Sequence, residues 1–193
     1  MIIVKDNIIP QELQDYYHTL VFGSEKINAM LPLVCKYEPT AYDGGKMPVS
    51  FEHVLKSSTK LTEHYGNFSK IPQTVFAELN IDFIDIIAAR LFITVPHKTK
   101  LDFYAPHTDR PEKHLGLIYY VNDSDGDTII YDYKSKDEND IPYFEDVKEL
   151  KRIKPKQGRI VVFDGLYWHT AEQPRDDIRC IININLNETW QYK

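Results

Sequence analysis

Cysteine is scarce. Cys35 and Cys180 are the only two in 193 residues, too few for a disulfide framework, so packing must hold the fold and a reducing cytoplasm is the expected home. Long apolar runs are missing as well. None approaches the roughly 20 residues of a membrane span, and Lys5 and Asp6 break the opening apolar run, so neither a signal peptide nor a membrane anchor is expected and the protein reads as soluble. Basic charge is in deficit, with 23 Lys and Arg against 29 Asp and Glu, a net charge of −6 and a pI near 5.6. That balance argues against a nucleic-acid or anionic-membrane surface, whose phosphate contacts need clustered cations. The one Lys-rich stretch, "KELKRIKPKQGR" at 148–159, reads as the solvated face of a strand and its turn. No repeat and no low-complexity tract is present.

What remains is an ordinary globular composition. At 22.6 kDa the chain is long enough to bury one core, and a single domain over 1–193 is expected, helical over about 1–89 and strand-rich over about 90–188. Pro10 fits a helix start and Gly23 its stop, with Leu13, Tyr16, Tyr17, Leu20 and Val21 on one face. Residues 24–50, with the "YDGGKMP" cluster, read as irregular cover, and a second helix is expected over about 51–65. Pro72 opens a third, in which Val75, Phe76, Leu79, Phe83, Ile86 and Ile87 recur at helical spacing. From Arg90 the period changes to that of strands: "RLFITV", "KLDFYAPH", "HLGLIYYV", "DTIIYDY", "RIVVFD" and "IRCIININL". Helices first and strands later argue for an α+β fold with an antiparallel sheet or sandwich. The polar stretch at 134–150 reads as a loop or lid.

Within "FYAPHTDRPE", His107 and Asp109 stand two apart, so an extended backbone would project both to one side. The triplet alone is weak. A third ligand could be any of the other six His, but only His169 has a comparable setting, after the strand "GRIVVFDG" and the aromatic pair Tyr167 and Trp168. Two His and one carboxylate match the facial triad of non-heme Fe(II) oxygenases. Ten residues on, Arg179 starts a strand on which Arg179, Ile181, Asn183 and Asn185 share one face. Ile178, Cys180, Ile182, Ile184 and Leu186 make the other, apolar and packed on protein. The polar face suits a pocket, and the planar fork of arginine suits a carboxylate. Arg175 is a rival placed in a turn that faces water.

These residues resemble the 2-oxoglutarate and Fe(II)-dependent dioxygenases, in their prolyl 4-hydroxylase-like branch. The resemblance runs from about Arg90 to Leu186 and rests on "HTD", "LIYYVNDSDGDTIIY", "GRIVVFDGLYWH" and Arg179 followed by "IININ". It implies a double-stranded β-helix, or jelly-roll, with N-terminal packing helices. It implies iron on His107, Asp109 and His169, and the distal carboxylate of 2-oxoglutarate on Arg179. Tyr120 would meet the co-substrate while Tyr119 points away, Ile129 would be an apolar wall, and Asn183 would sit near the iron's open positions. The family often has a further tyrosine on the strand before HxD; here that region reads "FITVPHKTKL", which leaves Tyr104 or Arg90 to compensate. "DGD" at 125–127 stands where a double glycine is more usual.

The implied activity consumes 2-oxoglutarate and O2, releases succinate and CO2, and hydroxylates a small molecule or a peptidyl proline, with ascorbate helping to restore Fe(II). Two rivals stay open: a cupin-like metal enzyme such as an isomerase, and a non-catalytic jelly-roll binding module. His18, His53, His64, His97 and His114 read as structural or solvated, with His97 and His114 kept as substrate-side candidates. Tyr119, Tyr131 and Tyr133 read as packing residues.

Overall fold

A computed structural model describes residues 1–26, 28, 29, 31–36, 49–82, 85–96, 103–137, 140, 142 and 147–187. Its strands are β1 (Ile2–Lys5), β2 (Val34–Lys36), β3 (Ser50–Lys56), β4 (Ile86–Thr94), β5 (His114–Tyr120), β6 (Thr128–Lys134), β7 (Glu149–Ile153), β8 (Ile160–Asp164), β9 (Tyr167–Ala171) and β10 (Arg179–Asn187). Helices α1 (Gln11–Phe22), α2 (Tyr65–Phe68) and α3 (Lys70–Glu78) precede most of them. A seven-stranded sheet in the order β1-β8-β5-β10-β4-β3-β2 faces a three-stranded sheet in the order β7-β6-β9, giving the double-stranded β-helix. Every strand pairing among the described residues is antiparallel.

Alternation along β10 divides the core in two. Cys180, Ile182, Ile184 and Leu186 pack with Tyr17, Leu20, Val21, Phe68, Ile71, Val75 and Phe76 of the helices. Ile181, on the opposite face, joins Ile118, Tyr120, Val161 and Phe163 of the large sheet and Ile130 and Ile153 of the small one. Each such fully buried side chain contributes on the order of 2 kcal/mol of apolar burial. Gly116 makes room for the ring of its cross-strand partner on β8, since a Cβ there would lie 2.8 Å from Phe163.

Helix α1 forms as its punctuation indicates. Pro10 precedes it with extended ψ of 143°, its carbonyl accepting the N–H groups of Leu13 and Gln14, and Gly23 ends it at φ 75°. Tyr17, Leu20 and Val21 are buried, whereas Tyr16 is exposed.

The helix expected over 51–65 is not there. Residues Ser50–Lys56 are β3, zipped to β4 through Phe51↔Ile93 and His53↔Leu91, and only the short α2 follows. Glu52, Leu55 and Lys56 are good helix formers, but the ladder overrides local propensity. The third helix is shorter than its apolar spacing predicts: Asn80, at φ 51°, takes the left-handed conformation that stops it, and Ile86 and Ile87 open β4. Ile178 lies just before β10 and is 39% exposed, not packed with the apolar face. "KLDFYAPH" supplies no strand among its described residues; Phe103 and His107 make isolated bridges to Glu172 and His169. The "YDGGKMP" cluster, Phe83, His97 and residues 138, 139, 141 and 143–146 of the expected lid at 134–150 lie outside the described residues, while the two ends of that stretch belong to β6 and β7.

Candidate metal and co-substrate site

Small sheet and HxD loop meet through the bridge between His107 and His169, each backbone N–H donating to the other's carbonyl at 3.0 and 2.9 Å. The bridge sets the two imidazoles 4.7 Å apart, and the ligand atoms of His107, Asp109 and His169 all lie within 4.8 Å of one another. In each histidine Nδ1 stands 3.1 Å from a carbonyl oxygen two residues back, that of Ala105 or Tyr167. A carbonyl can only accept, so Nδ1 carries the proton and Nε2 keeps a lone pair for a metal. Phe163 holds His169 edge-on at 5.1 Å.

Asp109 is fixed by the large sheet. Asn183 of β10 donates its amide Nδ2 to Asp109 Oδ2 at 2.9 Å. Burial pushes the Asp109 carboxyl up, but the two imidazoles and the Asn183 amide outweigh it and hold the carboxyl below its ordinary value. Burial, with His107 beside it, drops His169 to about 4. An ionised carboxylate and a neutral imidazole are the forms that bind a divalent cation. Two imidazole nitrogens and one carboxylate, converging and correctly tautomerised, fit Fe(II).

Four residues before Asn183 on β10, about 13 Å along the strand at its usual rise, Arg179 is 4% exposed. Its Nε donates to the Gly126 carbonyl at 2.9 Å and its Nη2 to Thr128 Oγ1 at 2.7 Å. No carboxylate of the described residues comes within ion-pair distance of it. Burial lowers its pKa, with Tyr120 and Tyr104 opposing. A buried, fixed, uncompensated cation is costly unless an anion joins it. Tyr120 lies under the guanidinium, 5.8 Å from ring centroid to Cζ, and donates its hydroxyl to Thr128 Oγ1 at 2.6 Å. Tyr119 points into the other core, edge-on to Tyr17.

Of the two substitutes for the missing tyrosine, Tyr104 is at the Arg179 end. Its hydroxyl is buried, and burial raises its pKa against the opposing pull of the Thr94 side chain and of Arg179. Arg90 is not: on β4 it pairs with Asn183, while Thr94 pairs with Arg179. Ile129 is displaced by the two-residue period of β6. Thr128 and Ile130 face inward, to Arg179 and the inter-sheet core, so Ile129 faces an outer groove with Phe103 and Tyr131 and is no wall of the Arg179 pocket.

Thr128 and the Gly126 carbonyl are site groups that motif reading passed over, although the alternation of "DTIIY" already puts Thr128 on the side opposite Ile129. "DGD" also has a specific task. The Asp125 carboxylate accepts the N–H groups of Arg175, Asp176 and Asp177 at 2.9, 3.0 and 3.3 Å, which shapes the turn that delivers Arg179. His114 is buried, its Nδ1 2.7 Å from the Glu112 carbonyl and its ring pressed on Gly165.

A family model described as the 2OG-Fe(II) oxygenase superfamily matches residues 94–187, the segment that carries the triad, Tyr120, Thr128 and Arg179. These residues belong to the 2OG-Fe(II) oxygenase superfamily. No curated protein matches the chain. Among solved structures, the chain resembles a prolyl-4-hydroxylase of Pseudomonas putida, at 12% identity and a TM-score of 0.58, over 97% of this chain and 92% of that one. A prolyl hydroxylase from Trichoplax adhaerens, in complex with a hypoxia inducible factor oxygen degradation domain peptide fragment, matches at 11% identity and 0.58 over 96% and 82%. HygX from Streptomyces hygroscopicus, with nickel, 2-oxoglutarate and hygromycin B bound, matches at 9% identity and 0.59 over 98% and 83%. At these identities the likeness is one of fold. The family match over 94–187, the fold and the triad together support a 2-oxoglutarate- and Fe(II)-dependent dioxygenase.

Proposed function

We propose that this oxygenase hydroxylates a small molecule or a peptidyl proline, with release of succinate and CO2. His107, Asp109 and His169 hold the iron in this reading, and Arg179 holds the distal carboxylate of 2-oxoglutarate. Fe(II) bound there supplies the redox chemistry that joins O2 activation to decarboxylation of the keto acid. The observation that carries the reading is the pairing of a convergent His, Asp, His set with a buried arginine that meets no carboxylate among the described residues.

The chain's own groups divide the work. Ala105 and Tyr167 carbonyls fix the imidazole tautomers, and Asn183 orients the Asp109 carboxylate. Gly126 and Thr128 aim the guanidinium. Thr128 Oγ1 accepts from both Arg179 and Tyr120, so its own proton is free to reach a co-substrate carboxylate, and the buried Tyr104 hydroxyl is a second donor at that end. Ile181 and Phe163 keep the inter-sheet space dry, which strengthens each of these polar contacts.

A single domain and a cytoplasmic location belong to the same proposal; two free cysteines, one exposed and one buried, support the location. The test of the reading is a screen of small molecules and prolyl peptides for compounds that raise succinate production above the rate without them and leave as products heavier by one oxygen atom. Succinate stimulated without an oxygenated product would contradict hydroxylation.

A further inference from the structure

Arg179 takes its aim from two groups that flank a single residue, the Gly126 carbonyl and Thr128 Oγ1, on either side of Asp127. Asp127 itself works on the other side of the chain. Thr128 faces inward, so the alternation of the backbone turns Asp127 outward, where its carboxylate lies 3.8 Å from Nη1 of Arg152. Arg152 belongs to β7 and stands opposite Ile129 of β6 on the outer groove. From there its guanidinium reaches across β6 to the Glu172 carboxylate, just past the end of β9, while Nε and Nη2 hold Glu149 at 3.1 and 2.8 Å. Glu172 is tied to the same short segment, its N–H donating to the Asp127 carbonyl at 2.8 Å. Packing here is close: a Cβ on Gly126 would lie 2.9 Å from the Glu172 carbonyl oxygen and 3.2 Å from Cδ of Arg179. Residues 126–128 form a thin wall, with the co-substrate arginine on one side and the ion pairs of Arg152 on the other.

We propose that Arg152 is a positioning residue for Arg179, holding residues 126–128 in the place from which they aim the guanidinium at the distal carboxylate of 2-oxoglutarate. This rests on the oxygenase reading and adds to it a residue outside the pocket. The need for such a clamp is electrostatic. Three carboxylates, those of Asp127, Glu149 and Glu172, converge on the one guanidinium of Arg152, and Lys154 is a further cation acting on Asp127. Burial and then Glu172 push the Asp127 carboxyl above its ordinary value, with Arg152 and Lys154 opposing them. Without Arg152, Asp127 and Glu172 repel each other across the hydrogen bond that joins their segments. Relief comes when 126–128 draws away from 172–174 and carries both acceptors of Arg179 with it. The arginine cannot follow, because it is buried and its backbone is fixed by pairing with Thr94 of β4. A planar fork that has lost its aim gives up the paired, charge-assisted bonds that make it suit a carboxylate.

The test is anaerobic titration of the Fe(II)-loaded protein with 2-oxoglutarate, followed by the absorption band of the complex, beside 2-oxopentanoate, which keeps the keto acid and lacks the distal carboxylate. Arg152→Gln is expected to bind 2-oxoglutarate about fivefold more weakly, the change that a partly exposed ion pair can supply. Its affinities for Fe(II) and for 2-oxopentanoate should stay those of the wild type. Arg152→Lys should fall in between, and adding Glu172→Gln to Arg152→Gln should restore most of the loss, because the repulsion is then gone. The inference is overturned if Arg152→Gln binds 2-oxoglutarate as the wild type does, if both keto acids weaken alike, if Fe(II) affinity falls with them, or if Glu172→Gln restores nothing. Where 2-oxopentanoate binds too weakly to titrate, the rescue decides alone. Where Arg152→Gln does not fold, Arg152→Lys carries the same comparison. If the wild type never forms the band, the oxygenase reading itself falls and takes this one with it; if the wild type forms it and the variants bind 2-oxoglutarate equally well, only the role of Arg152 is overturned.

Discussion

Asn183 donates to the Asp109 carboxylate at 2.9 Å across a sequence separation of 74 residues, so β10 of the large sheet orients a ligand carried by the HxD loop. Replacing it by Leu leaves all three ligands in place but removes the group that fixes one of them. Fe(II) affinity should fall about 10- to 100-fold, the usual cost of losing such a partner, with an unchanged far-ultraviolet dichroism spectrum. Metal titration at constant pH checks this. Wild-type affinity would mean that the carboxylate is held by the loop alone.

Arg179 and Arg175 lie four residues apart and in different settings. Arg179→Ala should weaken 2-oxoglutarate binding by roughly 2 to 5 kcal/mol, as for truncating one partner of a buried charge pair. Arg175→Ala should be nearly neutral, because Arg175 is exposed and the part of it that Asp125 holds is its backbone N–H. Titration of both variants with 2-oxoglutarate in the presence of metal decides it, and a reversed order would contradict the site as described.

Gly116→Ala tests the close approach of Phe163 to its cross-strand neighbour. The new methyl would sit 2.8 Å from the Phe163 ring, which has the inter-sheet core behind it and His169 5.1 Å away. Overpacking of this kind costs about 1 to 3 kcal/mol. Thermal unfolding should show the loss, and metal affinity should fall with it as Phe163 is driven toward His169.

Asp6 and Arg159 tie the strand-β1 end to the turn before β8 through contacts of 2.7 and 3.0 Å. Arg159 lowers the Asp6 pKa below its ordinary 3.8. The folded state therefore binds this proton less readily than the unfolded chain, and the pair stabilises the fold above the unfolded pKa and is lost as pH falls through the folded one. Asp6→Asn should cost up to about 1 kcal/mol near neutral pH and nothing at strongly acid pH, as expected of a partly exposed pair. Denaturant unfolding across that pH range measures the difference.

The sequence was most readable where local rules act alone. Gly23 ends α1 because only the left-handed conformation turns the chain there, and β10 keeps its apolar and polar faces because period two is a property of the strand itself. The triad was legible because HxD places two ligands by backbone geometry and the third follows a strand with its own aromatic marker. Reading failed where long-range pairing decides. Ser50–Lys56 is a strand only because β4 lies beside it, and Arg90 belongs with Asn183 only because of the register between β4 and β10. Ile129 was misassigned by one residue in β6, which in a strand means the opposite face.

The most direct measurement is succinate release by the purified protein in air with added Fe(II) and 2-oxoglutarate and no other substrate. An assembled site should release succinate above background, and removing O2, chelating the iron or replacing His169 by Ala should each abolish it. Tight coupling to an absent substrate could suppress turnover, so the anaerobic absorption band of the Fe(II) and 2-oxoglutarate complex is recorded on the same sample. A protein that binds the metal yet gives neither succinate nor the band would contradict the dioxygenase assignment and leave a cupin-like metal enzyme in its place.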